Sequence, residues 1–267
     1  LANTPIPADR TRWGAFDMLR EKSDADVRTI IEEVALAGGA AGSTQQKIAD
    51  FYNSYLNQDA IDARALAPIQ PELDQIAALR THEQTMRLIS TPGIAVNSPI
   101  AAFVGLDDRN PDRYIVNMTH AGLGLPEREY YRRDDRQFPE LRTGYEAACA
   151  NMLGLIGQTD GAAKARAIMA LETQIAELHW PREKSRNRDL TYNPKSRAEL
   201  QAFAPEFPWE AGLSAFGAVS HNEFIVVQLD AVKALAKLFR ATPLATLRAY
   251  MTFHYLNANA DILQNDP

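Results

Sequence analysis

His82-Glu83 is the one His-Glu pair in the chain, and the residue four positions after His82 decides whether it could hold a metal. In the H-E-x-x-H pattern two imidazoles one helical turn apart grip a single zinc ion while the glutamate between them serves as general base. Met86 stands where the second histidine is needed. The acidic ligand such sites take from a second helix, written E-x-x-x-D, is missing as well, because no glutamate has an aspartate four residues on. His120, His179, His221 and His254 are scattered singly and read as exposed or hydrogen-bonded side chains. Other catalytic patterns are also missing: there is no G-x-S-x-G elbow, no P-loop, and no G-x-G-x-x-G after a strand. Asp107-Asp108 sits among turn formers, where carboxylates bond to their own backbone. Cys149 is the single cysteine, which excludes an internal disulfide; Tyr145, Met152 and Ile156 flank it at helical spacing, as expected of a buried, unreactive thiol.

Arginines offer a different chemistry. Arg12 and Arg20 bracket Trp13-Gly-Ala-Phe16-Asp17 near the start of the chain, and a guanidinium presents a planar donor fork matched to a carboxylate. A spacing of eight residues would put both within about 80° of one another on one helix face. Without further context both read as solvated arginines at a helix start.

The elements that must position these residues are mostly helical. Apolar residues at 3.6 spacing predict a helix from about Trp13 to Ala37, with Phe16, Leu19, Val27, Ile30 and Val34 on one face and Gly38-Gly39 ending it. Further helices are expected over 43–56, 61–66, 71–79, 81–89, from Asp134 or Asp135 to about Gly157, over 161–179, 230–239 and 243–259. Ser196 and Glu199 form a capping-box pattern, Asn193-Pro194 suits a turn, and Thr242-Pro243 supplies an N-cap followed by proline at the first helical position. Pro126 can likewise open a short helix. Between these helices, Ala102–Leu106 and Tyr114–Met118 flank the turn-rich 108–112 stretch as a β-hairpin, and Phe224–Val227 could add a third strand. The expected fold is mainly α: a multi-helical lobe with a small antiparallel hairpin or three-stranded sheet. No repeat, low-complexity tract or linker divides residues 1–267.

At 267 residues, with 46% hydrophobic content and 23% charged, the chain can bury a substantial core. A net charge of -6 without a block of clustered Lys and Arg argues against a nucleic-acid partner. No run approaches the roughly 18 to 20 apolar residues of a membrane helix.

Several ordered blocks resemble the amino-terminal part of the neprilysin and endothelin-converting enzyme family of zinc metalloendopeptidases. They are Asn3–Asp9 with Arg12–Arg20, Phe103–Asp108, the decapeptide Gly122-Leu-Gly-Leu-Pro-Glu-Arg-Glu-Tyr-Tyr131, Leu171-Glu172 with Ile175-Ala176, Arg188-Asp189 with Tyr192-Asn193, and Phe224–Phe239. The resemblance implies that residues 1–267 form the amino-terminal helical region, as a single domain or a lid-like lobe plus part of the cleft wall. It implies a zinc cofactor whose ligands lie in a separate carboxy-terminal catalytic region, so that this chain alone would be inactive. It implies oligopeptide substrates, with Arg12 contacting the substrate carboxyl end and Arg20 supporting it or shaping the same pocket; Phe16 and Asp17 lie between them as further substrate-binding residues, Asp17 available as a local ion-pair partner. The decapeptide is expected to mark the family through structure rather than catalysis. Tyr130–Arg133 lacks the cysteine by which vertebrate members would pair a cysteine placed like Cys149, which suggests a bacterial-type member. A periplasmic or extracellular location follows by the same resemblance. The alternative reading is a non-enzymatic helical module that binds peptides or a partner protein.

Overall fold

A computed structural model describes residues 5–8, 10, 13–135 and 137–263. The chain divides into two compact units, one running to Ala65 and one from Leu66 to Asp261.

The first unit is built on a helical hairpin of α1 (Ala15–Ala37) and α2 (Thr44–Leu56), followed by α3 (Gln58–Arg64). The turn between α1 and α2 follows from its residues. Gly38 ends α1 at φ +65°, donating its N–H to the Val34 carbonyl at 2.9 Å. A side chain on Gly39 would come within 2.6 Å of the Gln46 backbone nitrogen, so only glycine allows this close return. Ser43 then caps α2 by accepting from the Gln46 N–H at 3.1 Å. The apolar stripe expected to face a core does not do so: no residue of α1 is buried, and Phe16 and Leu36 are 89% and 92% exposed.

The second unit continues with α4 (Gln70–Ala78), α5 (His82–Ile89), β1 (Ile100–Asp107), β2 (Asn110–His120), α6 (Glu129–Arg132), α7 (Phe138–Leu155) and α8 (Gly161–Leu178). It is completed by α9 (Arg182–Ser185), α10 (Arg188–Thr191), β3 (Pro194–Ser196), α11 (Arg197–Phe203), α12 (Trp209–Phe216), β4 (Glu223–Val226), α13 (Leu229–Ala241) and α14 (Leu244–Asn259). Its core is carried by α8, α13 and α14. Ala165, Ile168, Leu171 and Ile175 of α8, Val232, Leu235 and Phe239 of α13, and Leu247, Tyr250 and Met251 of α14 are all buried, together with Phe224–Val226 of β4.

The mainly helical class holds, and the sheet is larger than expected. Four strands lie in the order β1-β2-β4-β3, with β1–β2 and β3–β4 antiparallel and β2–β4 parallel. The hairpin strands extend almost to each other, leaving Asp108-Arg109 between them in place of a longer loop. β3 occupies the segment that reads as a turn. Asn193 supports it by donating its side-chain amide to the Val226 carbonyl at 2.9 Å. The capping box at Ser196 and Glu199 forms as expected.

Several helix starts differ. Asp134 and Asp135 pair with Arg142 and Arg133, and α7 begins after Gln137 with no side-chain cap. Thr242 donates its hydroxyl to the Leu238 carbonyl, which leaves Pro243 at the N-cap of α14. Pro126 lies in a bend three residues ahead of α6 and does not open it.

Asp107, 2% exposed, closes the hairpin tip. It accepts from the Arg109 backbone N–H at 2.9 Å, from Tyr192 Oη at 2.9 Å and from Arg113 Nε at 2.8 Å. These bonds to the charged form, the backbone one foremost, hold its carboxyl at about 2, below the ordinary 3.8. The folded pKa is depressed, so the carboxylate contributes stability above about pH 4 that is lost as pH falls from the unfolded value toward the folded one. Asp107→Asn should therefore lower the thermal midpoint at pH 6, and the gap from the parent should narrow between pH 4 and pH 2. A gap independent of pH in calorimetric scans would mean that the charge is not what stabilises the tip.

Candidate functional site

The residues picked out for substrate binding lie at the start of α1. Gly14 is extended, and its N–H donates to the Asp17 carboxylate at 3.0 Å, so Asp17 helps set the helix start. Phe16 and Arg20, one turn apart, are both exposed, and Arg20 has no ion-pair partner among the described residues. The structure thus brings Phe16, Asp17 and Arg20 onto one short stretch of helix. Arg12 lies outside the described residues. α1 begins at Ala15 rather than Trp13.

The decapeptide Gly122–Tyr131 is organised around a side chain that the sequence offered only as part of the Leu171-Glu172 block. Glu172 of α8 is fully buried. Its Oε2 accepts from Tyr131 Oη at 2.5 Å and the Gly124 N–H at 3.1 Å, while Oε1 accepts from Tyr145 Oη at 2.9 Å and meets His254 Nε2 at 2.7 Å. Asn97 Nδ2 faces His254 Nδ1 at 3.0 Å, so the amide donates there and the imidazole directs its Nε2 proton to Glu172. Tyr131 Oη also accepts the backbone N–H groups of Gly124 and Leu125. Burial and the neighbouring carboxylate push the Tyr131 and Tyr145 hydroxyls up, burial being the larger cause, so both remain donors. The glycines of the motif are explained here. Gly122 adopts φ +94°, and a side chain on Gly124 would fall 1.8 Å from Tyr145 Oη. The signal for Glu172 was present in the sequence: it lies one turn beyond Ile168 and beside Leu171, a carboxylate on the inward face of an apolar helix.

A family model described as "Peptidase family M13" matches residues 1–267. The chain belongs to peptidase family M13. Among curated relatives it is similar to endothelin-converting enzyme 1 of Cavia porcellus, 23% identical over 97% of this chain and 36% of that protein. It is 25% identical to endothelin-converting enzyme-like 1 of Homo sapiens, over 93% of this chain and 34% of the relative. Among solved structures, the Mycobacterium tuberculosis zinc metalloprotease Zmp1 in complex with an inhibitor superposes with a TM-score of 0.88 at 31% identity, covering 99% of this chain and 41% of that one. PepO of Lactobacillus rhamnosis HN001 shares the fold, with a TM-score of 0.68 at 23% identity over 99% of this chain and 42% of that one. The chain thus spans well under half the length of these M13 relatives.

Zinc is the metal named for Zmp1, and the described residues do not fit it. They contain no group of three or more His, Cys, Asp or Glu side chains placed to hold a metal ion. His82 bonds the Thr242 carbonyl, His254 serves Glu172, His179 bonds the Ala121 carbonyl, and no step through a metal is derived from these side chains. Cys149 is buried, and burial foremost, with Glu172 next, pushes its thiol up to about 12, which leaves it un-ionised and inert. Among the described residues no helix is long and apolar enough to cross a membrane.

Every partner of Glu172 is a donor, so Glu172→Gln would aim an amide NH₂ at a hydroxyl or an N–H. We expect a loss of about 3 kcal/mol in urea unfolding, the scale of breaking a buried charged network. Gly124→Ala should be at least as damaging, whereas Glu33→Gln on the exposed surface of α1 should be nearly silent. A Glu172→Gln variant with unchanged midpoint would show that the carboxylate does not hold the loop.

Proposed function

We propose that the chain is the amino-terminal region of a zinc-dependent metalloendopeptidase that hydrolyses oligopeptides. On this reading it contributes a wall of the substrate cleft, and the metal is held by residues of the remaining, carboxy-terminal catalytic region. The observation that carries it is the M13 match over all of residues 1–267 in a chain that spans only 36% of one endothelin-converting enzyme and 41% of Zmp1. The exposed apolar stripe of α1, with Phe16, Leu19, Val27 and Ile30, supports it, because a contiguous apolar face of this kind is a surface made to be covered. The catalytic region of the same protein is the partner we assign to it. A periplasmic or extracellular location belongs to the same proposal.

Within that reading, Arg12 receives the substrate's terminal carboxylate, Arg20 supports or shapes the same pocket, Phe16 offers an apolar surface, and Asp17 orders the helix start that carries them. A guanidinium–carboxylate pair discriminates steeply because both hydrogen bonds are lost together when the ligand is an amide. In the complete enzyme, Arg12→Ala should reduce kcat/KM about 10- to 100-fold on peptides with a free carboxyl end and far less on their amides. Arg20→Ala should move the same ratio by a smaller factor. Equal losses on both substrate forms would remove the carboxylate role. A complete protein without metal-dependent peptidase activity would remove the wider proposal.

A further inference from the structure

The outer face of the decapeptide loop borders a second cleft, of about 760 Å³, that the proposed peptidase role does not use. One wall is the loop itself from Gly122 to Glu129, and the opposite wall is the corner from His179 to Arg186 that joins α8 to α9, with His120 and Gln228 at the base. Its polar atoms are oddly matched. Among the described residues neither ring nitrogen of His120 has a hydrogen-bond partner although both are buried, and the same holds for Arg128 Nε and Ser185 Oγ. Buried polar atoms are almost always paired, so four left unmatched on residues that line one cleft single out this region as one where an added acceptor would be satisfied.

The base of the cleft is built rather than loose. The His120 and His179 rings stack at 4.0 Å between centroids, and His179 Nε2 donates to the Ala121 carbonyl at 3.0 Å. The Gln228 side-chain oxygen accepts from the His120 N–H at 3.2 Å and the Thr119 hydroxyl at 2.8 Å. Behind the loop, the Glu172 network fixes Gly124 and Leu125, so the wall that carries Arg128 is anchored from its far side.

The formal charges of the cleft balance, three arginines against three glutamates, but the Arg128 guanidinium is left without a hydrogen-bonded acceptor among the described residues. Burial foremost, followed for His120 by its ring neighbour and then Arg128, lowers both imidazoles, His120 to about 4, so the pair is neutral at pH 7. The Arg128 side chain is only 14% exposed, and its nearest carboxylate, Glu129, stands 3.6 Å away, outside hydrogen-bond geometry, and lies 3.7 Å from Arg132 as well. Glu127 is paired with Arg182 at 2.7 Å. Arg186 has no ion pair among the described residues, and Glu183 is the remaining acidic side chain of the cleft. We propose that this cleft binds a small oxyanion, a carboxylate or phosphate group, received by the Arg128 guanidinium with His120 and Ser185.

The test uses the complete protein and isothermal titration with sodium sulfate, inorganic phosphate and acetate, each against sodium chloride at matched ionic strength. Saturable binding of one oxyanion per chain is expected, and the relative strength of phosphate and acetate tells which source the cleft prefers. R128Q should weaken that binding about 10- to 100-fold, and S185A several-fold. S185A removes one hydroxyl and carries the test if R128Q does not fold. The proposal is overturned if none of the three anions binds saturably, or if the folded variants bind as tightly as the parent.

Discussion

A carboxylate taken into a protein interior costs several kcal/mol unless donors surround it, and Glu172 is surrounded. The hydroxyl of Tyr131 arrives from α6, that of Tyr145 from α7, the imidazole of His254 from α14, and the Gly124 N–H from the loop. Hydrophobic packing alone is non-directional and would tolerate one helix sliding against another by a fraction of a turn. A single acceptor that must meet all these donors tolerates no such slide, so it selects one relative placement of the loop, α6, α7 and α14 around α8. His254 shows the same constraint from the other side. It sits within the buried run Tyr250–Leu256, where an imidazole is affordable only because Glu172 and Asn97 engage both nitrogens.

What the sequence made legible was periodic or local. The stripes of α8 and α13, the Ser196–Glu199 box and the Gly38-Gly39 stop depend on residues within a few positions of each other, and the structure contains all of them. What escaped depends on partners far along the chain. Pro126 is a reasonable first residue for a helix, but the N–H groups of Gly124 and Leu125 bond to Tyr131 Oη, and that draws the preceding backbone into bends. β3 is a three-residue strand whose only reason to be extended is β4, some thirty positions later. Thr242 carries a good capping side chain, yet its hydroxyl turns back to the Leu238 carbonyl and the cap is lost. Glu172 was named as part of a block and not as its centre, because a helix pattern says which face turns inward without saying what waits there.

The first helix shows the same limit in reverse. Phe16, Leu19, Val27 and Ile30 have the spacing of a buried stripe, and the stripe is real, but these side chains are exposed. Amphipathicity states that a face needs a partner and is silent on where in the sequence that partner lies. On the function proposed above, the apolar face and Arg20, one turn from Phe16, belong to one surface that the remaining region would cover.

The decapeptide has two faces, and the demands on them differ. Gly122, Gly124 and Tyr131 are accounted for by the inward one: a left-handed φ, an approach to Tyr145 too close for any side chain, and a hydroxyl shared between two backbone donors and a carboxylate. Nothing on that side requires Arg128. Arg128 lines the outer cleft, gives up most of its hydration, and gains from the described residues only a carboxylate beyond hydrogen-bond reach. Folding gains little from such a placement, since a buried guanidinium without matched acceptors is a net cost. The same cost becomes a benefit once an oxyanion occupies the cleft, because the donors are then already desolvated and held in place. A loop stiffened from within by Glu172 is therefore the kind of support that a preorganised anion site on its outer face needs.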